Sequence, residues 1–120
     1  MSQSAKSVFY FGVYLVGLGL ALMLQPNLLL SIVSIPPTTE VWIRIVGLLA
    51  LALSAYYIVS GKNEVTVVFK VTVLVRASII LFFTAFVLAG LVKPALILFG
   101  VVDLLGAAWT YFALRKEGKW

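Results

Sequence analysis

The sequence predicts an all-α integral membrane protein, an antiparallel up-down-up-down bundle of four helices in a single domain over residues 1–120. Of the 120 residues, 63% are hydrophobic and 11% are charged, whereas soluble domains are roughly 45–50% apolar. The apolar residues fall into four blocks, each near the ~20 residues needed to cross about 30 Å of hydrocarbon. Short polar turns between the blocks favour antiparallel neighbours.

The first half of the chain contains two predicted spans, 8–24 and 40–59. No small-residue cleavage site follows the first apolar run, so we interpret it as a retained span rather than a signal peptide. Pro26 ends it, because proline cannot continue the helical hydrogen bonds. The stretch 28–35 is too short to cross a bilayer and predicts a short interfacial helix. A threonine, Thr38 or Thr39, is expected to cap the second span.

The second half contains the predicted spans 65–91 and 95–114, separated by a turn that includes Pro94. Most lysines and arginines fall on the side shared by the termini and the middle turn, and Lys93 lies on the other side. Under the positive-inside rule this distribution predicts a multi-pass protein of the bacterial inner membrane with both termini in the cytoplasm.

Composition also excludes several kinds of chemistry. The chain has no cysteine and no histidine, which removes disulfides, thiol redox chemistry and imidazole ligands. The basic residues lie at the ends of apolar runs, which indicates contact with lipid headgroups rather than with nucleic acid. No catalytic constellation is visible, so we expect no cofactor and no enzyme activity from this chain alone. The expected partners are the lipid bilayer and either further copies of the chain or a larger membrane complex.

Besides Glu40 and Lys70, which lie near span ends, three charged residues lie inside predicted spans: Arg44, Arg76 and Asp103. Such residues cost roughly 2.5–3.5 kcal/mol each on insertion scales, so they usually pair, face the bundle interior or line a path. Counting residues at ~1.5 Å per residue places Asp103 about 12 Å below the start of its span. Both arginines then lie within a side chain's reach of Asp103 along the membrane normal. The sequence therefore predicts a buried polar cluster.

The cluster has two interpretations. Helical spacing adds Thr110 to the face of Asp103 and Thr72 to the face of Arg76. These residues either hold the helices together or form a ligand site in which an arginine binds an anionic group. Arg44 has a further partner in Glu40, four residues earlier, so the sequence leaves open which arginine pairs with Asp103.

Aromatic residues near the predicted span ends are expected to support the membrane interface, as tryptophan and tyrosine commonly do. They are Trp42, Tyr56, Tyr57 and Trp109.

Four short motifs resemble the DoxX-like assemblage of small four-helix bacterial membrane proteins. They are Pro26-x-x-Leu29-Leu30, Trp42-x-Arg44-x-x-Gly47, the arginine Arg76, and Asp103-x-x-Gly106-Ala107-Ala108-Trp109-Thr110. The resemblance implies the four-helix architecture and the inner-membrane setting. That family is loosely associated with quinone-linked redox systems.

Three hypotheses of function follow. The first is an accessory, assembly or structural protein whose Arg/Asp cluster holds the helices. The second is a binding protein or minimal oligomeric transporter for an anionic lipid, a quinone or a small solute. The third, which rests on the family resemblance, is a subunit of a quinone-linked oxidoreductase.

Overall fold

In the computed structural model, which describes residues 1–120, the chain is all-helical and contains no strand. Four segments are long and apolar enough to cross a membrane, so the prediction of a membrane helix bundle is confirmed at that level. The elements are α1 (Gln3–Leu24), α2 (Pro26–Ile32), α3 (Trp42–Lys62), α4 (Thr66–Leu88) and α5 (Ile97–Lys116), with a 3₁₀ turn (Pro94–Leu96) before α5.

The helix ends differ from the predicted ones by a few residues, and local hydrogen bonds explain the differences. Helix α1 begins at Gln3 because the Ser2 hydroxyl accepts the Ala5 N–H as an N-cap. Helix α4 ends at Leu88, where the Leu91 N–H closes back onto the Phe86 carbonyl. The expected threonine cap of α3 is absent.

The N-cap of α3 is Val41, and no side chain caps the helix. The Thr38 hydroxyl instead accepts the Glu40 N–H, within the segment before the helix.

Helix α1 is the centre of the packing. It contacts all four other helices, most extensively α3, while α4 packs mainly on α5. Helix α3 has no extensive contact with α4 or α5. The bundle therefore consists of the pair α1/α3 and the pair α4/α5, joined chiefly through α1.

Two glycines set the closest approach of α1 and α3. A Cβ atom on Gly19 would lie 2.7 Å from the Gly47 carbonyl oxygen and 2.8 Å from the Leu51 nitrogen. A Cβ atom on Gly47 would lie 2.7 Å from the Gly19 oxygen. Small residues of this kind let membrane helices pack backbone to backbone.

The most tightly packed apolar residues lie in the half of the bundle that contains the termini. They include Val8, Phe69 and Leu114, all fully buried, with Phe11 and Tyr57 beside them. The other half, towards the loops 33–41 and 89–93, contributes few fully buried side chains. A polar cluster lies in the closely packed half, and a cavity lies in the other half.

The glycine contact predicts a matched pair of variants on α1. Gly19→Ala should destabilise the bundle by about 1–3 kcal/mol, the usual cost of overpacking. Gly17→Ala is the control, because a Cβ there meets nothing within 4 Å and the gain in helix propensity is the same. Thermal unfolding in detergent measures both, and equal melting temperatures would contradict the close packing.

Candidate functional site: a buried arginine and a carboxylate facing a cavity

Arg76 is the most buried charged residue in the chain, with 2% of its surface exposed. Its Nε donates to the Thr72 carbonyl at 3.2 Å, one helical turn back on α4. Its Nη2 donates to the Thr72 hydroxyl at 3.0 Å and to the Thr110 hydroxyl of α5 at 2.8 Å. Bonds from a charged donor contribute about 1.5–3 kcal/mol each, which is the size needed to offset burial of the cation.

The network continues from α5 to α1 through two hydroxyls. The Ser7 and Thr110 oxygens lie 2.6 Å apart, so one of them donates to the other. The Ser7 hydroxyl also lies 2.6 Å from the Ser4 carbonyl, and the Thr110 hydroxyl 3.2 Å from the Gly106 carbonyl. We call Ser7, Thr72, Arg76 and Thr110 the arginine network. It joins α1, α4 and α5.

Aromatic rings cover the guanidinium of Arg76. Its Cζ atom lies 4.7 Å from the centroid of the Phe11 ring and 5.6 Å from that of Tyr57. Cation–π contacts of this kind contribute about 0.5–2 kcal/mol. A Cβ atom on Gly106 would lie 2.8 Å from Phe11 and 3.0 Å from Nη1, so only glycine leaves room for this arrangement. Nη1 itself has no hydrogen-bond partner.

Asp103 is not ion-paired with Arg76 or with any other residue. No arginine or lysine nitrogen lies within 4.0 Å of its oxygens, since the ion pairs of the protein are Lys119 with Glu64 and Lys119 with Glu117. Arg76 is nevertheless close by, because its Nη1 lies beside Gly106, three residues after Asp103 on α5. The half-buried carboxylate faces a cavity instead.

The cavity has a volume of about 190 Å³ and lies between α1, α3, α4 and α5 in the loosely packed half of the bundle. We call it the inner cavity. Eleven of its 12 lining residues are hydrophobic, and Asp103 is the exception. Tyr14, Leu18, Phe83 and Phe99 form parts of the wall. The space exists because α3 packs on α1 and leaves a gap towards α4 and α5.

A wider opening of about 830 Å³, the vestibule, lies between the loops and adjoins the inner cavity. The two share Leu30, Ile35, Ile43 and Leu96 as wall residues. Glu40 and Lys93 add charge to the wall of the vestibule. The vestibule and the inner cavity therefore lie on either side of a common wall.

Arg44 lies apart from the other predicted site residues. Its Nη1 donates to the Met23 carbonyl at 2.5 Å, at the C-terminus of α1, where a cation stabilises the unpaired carbonyls and the helix dipole. It also forms no ion pair with Glu40 within 4.0 Å. The three-residue cluster suggested by depth counting is therefore divided, with Arg76 in the network, Asp103 at the cavity and Arg44 at a helix end.

Of the aromatic residues expected at span ends, three are exposed. Trp42, Tyr56 and Trp109 expose 67%, 70% and 45% of their surface, respectively. Tyr57 is buried in the core beside Arg76, so its role is packing rather than interface support. Both tyrosines lie near the end of a predicted span. Neighbouring residues on a helix point about 100° apart, and the sequence does not show which of the two faces the core.

Serines and glutamates tie the termini together outside the spans. Ser2 donates through its N–H and its hydroxyl to Glu64, at 2.7 and 2.6 Å. Ser4 donates to Glu117 in the same way, at 3.1 and 2.5 Å. Lys119 lies 3.9 Å from Glu64 and 3.8 Å from Glu117. We call these five residues the clasp.

Both clasp carboxyls are shifted towards the ionised form. The hydrogen bonds from the Ser2 hydroxyl and N–H hold the pKa of Glu64 below its ordinary value. Partial burial acts to raise the pKa of Glu117, but the hydrogen bonds from Ser4 and the charge of Lys119 outweigh it and lower that pKa. The N-terminus of α1 further favours nearby negative charge.

Ser4 and Ser7 were missed because the predicted first span begins at Val8, and Phe11, inside that span, was not connected with Arg76. A signal was present: the three residues are spaced by three and four positions, which places them on one face of a helix. The clasp glutamates, by contrast, meet Ser2 and Ser4 only in the folded chain, and no local pattern indicates this.

Comparison with known proteins gave no relative: no family model, no curated protein and no solved structure matches the chain.

The arginine network predicts the effect of Thr110→Val. The change removes the acceptor for Arg76 and the partner of Ser7, so we expect a loss of about 1–2 kcal/mol in the free energy of unfolding. Thr84→Val is the matched control, because Thr84 is half-buried on α4 and lies outside the network. Unfolding of both variants in the same detergent measures the difference. Equal stability would show that the network does not hold the helices.

The clasp predicts a pH dependence of stability. Glu64 and Glu117 have lowered pKa values in the folded protein. At a pH just below 4.5, the ordinary pKa of glutamate, the folded state therefore binds fewer protons than the unfolded state. The clasp therefore contributes its full stability above that pH and loses it as the pH falls through the lowered values.

Melting temperatures of the wild-type protein and of the double variant Glu64→Gln, Glu117→Gln, measured between pH 6 and pH 3, test this expectation. The difference between the two proteins should be largest at pH 6 and should shrink as the pH falls. A difference that does not change with pH would contradict it.

Proposed function

We propose that this chain is a small multi-pass protein of the bacterial inner membrane that binds a small, largely apolar molecule in its inner cavity. On this proposal it acts as a binding protein or minimal transporter and does not catalyse a reaction by itself. The observation that carries the proposal is Asp103, a carboxylate without a partner that faces an otherwise apolar cavity.

The position of Asp103 is costly in free energy. A polar group without a partner in apolar surroundings is costly, and more so when it is charged. A carboxylate that only held helices together would be expected to bond to its neighbours. The buried cation is held by Thr72 and Thr110, so Asp103 is free to meet a ligand. Intramembrane residues of this kind commonly mark a substrate path.

The proposal includes a membrane topology. We propose an antiparallel up-down-up-down bundle with both termini in the cytoplasm and α2 in the membrane interface. Two contacts support the antiparallel pairing of α1 and α3: Gly61 approaches Ala5, near the start of α1, and Gly47 approaches Gly19, near its end. The distribution of lysine and arginine supports the orientation.

A second candidate is the accessory or structural role. The arginine network supports it, since a buried cation bonded across helices fixes their rotation. Membership in the DoxX-like assemblage, a homo-oligomer or larger complex, and a role beside a quinone-linked oxidoreductase are proposals that rest on the sequence motifs. The two candidates make different demands on the inner cavity. A binding protein requires a ligand in it, whereas a structural protein does not.

Binding of a small apolar probe tests the proposal. Fluorobenzene, followed by ¹⁹F NMR, should bind the protein in nanodiscs beyond its partition into empty nanodiscs. Leu18→Trp places a larger side chain in the cavity wall and should abolish this binding. Leu81→Trp is the control, because Leu81 is 70% exposed on α4 and lies outside the cavity wall.

Thermal unfolding of both variants verifies that each is folded. Absence of binding to the folded wild-type protein, or equal loss in both variants, would contradict a ligand cavity.

A further inference from the structure

We propose that the ligand of the inner cavity is a neutral molecule about the size of one ring that carries a single hydrogen-bond donor, as a phenol or a small aromatic alcohol does. The inference rests on the proposed function and names the ligand class of that site. It follows from the size of the cavity, the chemistry of its one acidic residue, the charge nearby and the route of access.

The volume of the inner cavity itself matches about one ring. The inner cavity has a volume of about 190 Å³, and an apolar cavity of about 150 Å³ is sufficient to bind benzene. The walls are aliphatic and aromatic, with the rings of Phe83 and Phe99 among them. Such walls favour an apolar body, and the remaining volume admits one small substituent.

The polar end of the ligand is set by Asp103. An ionised carboxylate accepts hydrogen bonds and donates none, and no group of the chain bonds to this one. Tyr14 also lines the cavity. A ligand with a hydroxyl satisfies the carboxylate by donating to Asp103.

Charge balance favours a neutral ligand. Asp103 carries the one charge on the wall of the inner cavity, and the Arg76 guanidinium lies beside Gly106, three residues after Asp103 on α5. Its positive charge offsets that of the carboxylate through space, without an ion pair between the two groups. A cationic ligand would leave a net positive charge in an apolar space and an anionic ligand a net negative one, and both are costly at low dielectric.

Access leads through the vestibule at the loop end, since Leu30, Ile35, Ile43 and Leu96 line both spaces. Glu40 and Lys93 lie on the vestibule wall and have opposite charges, so the route does not select ions of one sign. A neutral molecule passes it without losing an ionic hydration shell.

A set of four probes of similar size tests the ligand class: 4-fluorophenol, fluorobenzene, 4-fluorobenzylammonium and 4-fluorobenzoate. Each is titrated by ¹⁹F NMR against the wild-type protein in nanodiscs of zwitterionic lipid, with empty nanodiscs subtracted. We expect 4-fluorophenol to bind at least about tenfold more tightly than fluorobenzene, since a hydrogen bond to a charged group contributes that much. Both ionic probes should bind more weakly than 4-fluorophenol.

The variant Asp103→Leu should remove the preference for 4-fluorophenol and leave fluorobenzene bound. The ranking in the wild-type protein tests the inference even where this variant does not fold. Equal binding of 4-fluorophenol and fluorobenzene to the wild-type protein would overturn the donor requirement, and tightest binding of an ionic probe would overturn neutrality. In both cases the cavity would still bind a ligand, whereas failure of all four probes would refute the proposed function itself.

Discussion

Burial of the Arg76 guanidinium is the constraint on which the rest of the structure depends. A cation with 2% exposure inside an apolar bundle requires hydrogen-bond acceptors arranged around it. Thr72 on its own helix, Thr110 on α5 and the rings of Phe11 and Tyr57 supply that environment. Gly106 supplies the space. Helices α1, α4 and α5 therefore meet where the arginine is.

This constraint divides the bundle into two parts with different properties. The half with the termini is closely packed around the arginine network and is closed by the clasp. The other half has no equivalent polar network. There α3 packs on α1, and a gap remains between α3 and the pair α4/α5. Asp103 lies on the wall of that gap. Close packing is thus concentrated in one half, and the inner cavity lies in the other.

Much of the fold follows from composition and hydrophobic length, because crossing a bilayer leaves few alternatives to apolar helices. The site was partly predictable: helical spacing placed Thr72 with Arg76 and Thr110 with Asp103. The division of the cluster was not predictable. Depth along the membrane says nothing about rotation about a helix axis, and rotation directs Thr110 to Arg76 and leaves Asp103 facing the cavity. Which arginine lies near Asp103 was left open, because hydropathy does not detect the carbonyls at the end of α1 that Arg44 contacts.

The central claim is that Arg76 and Asp103 belong to separate sites, and solid-state NMR tests it directly. Asp103 is the one aspartate of the chain, so ¹³C-aspartate labels this residue alone, and ¹⁵N-arginine labels the guanidinium groups. We predict no short distance between a guanidinium nitrogen and the Asp103 carboxyl carbon in lipid bilayers. Strong dipolar dephasing of the Asp103 carboxyl by guanidinium nitrogen would show an ion pair and contradict the account.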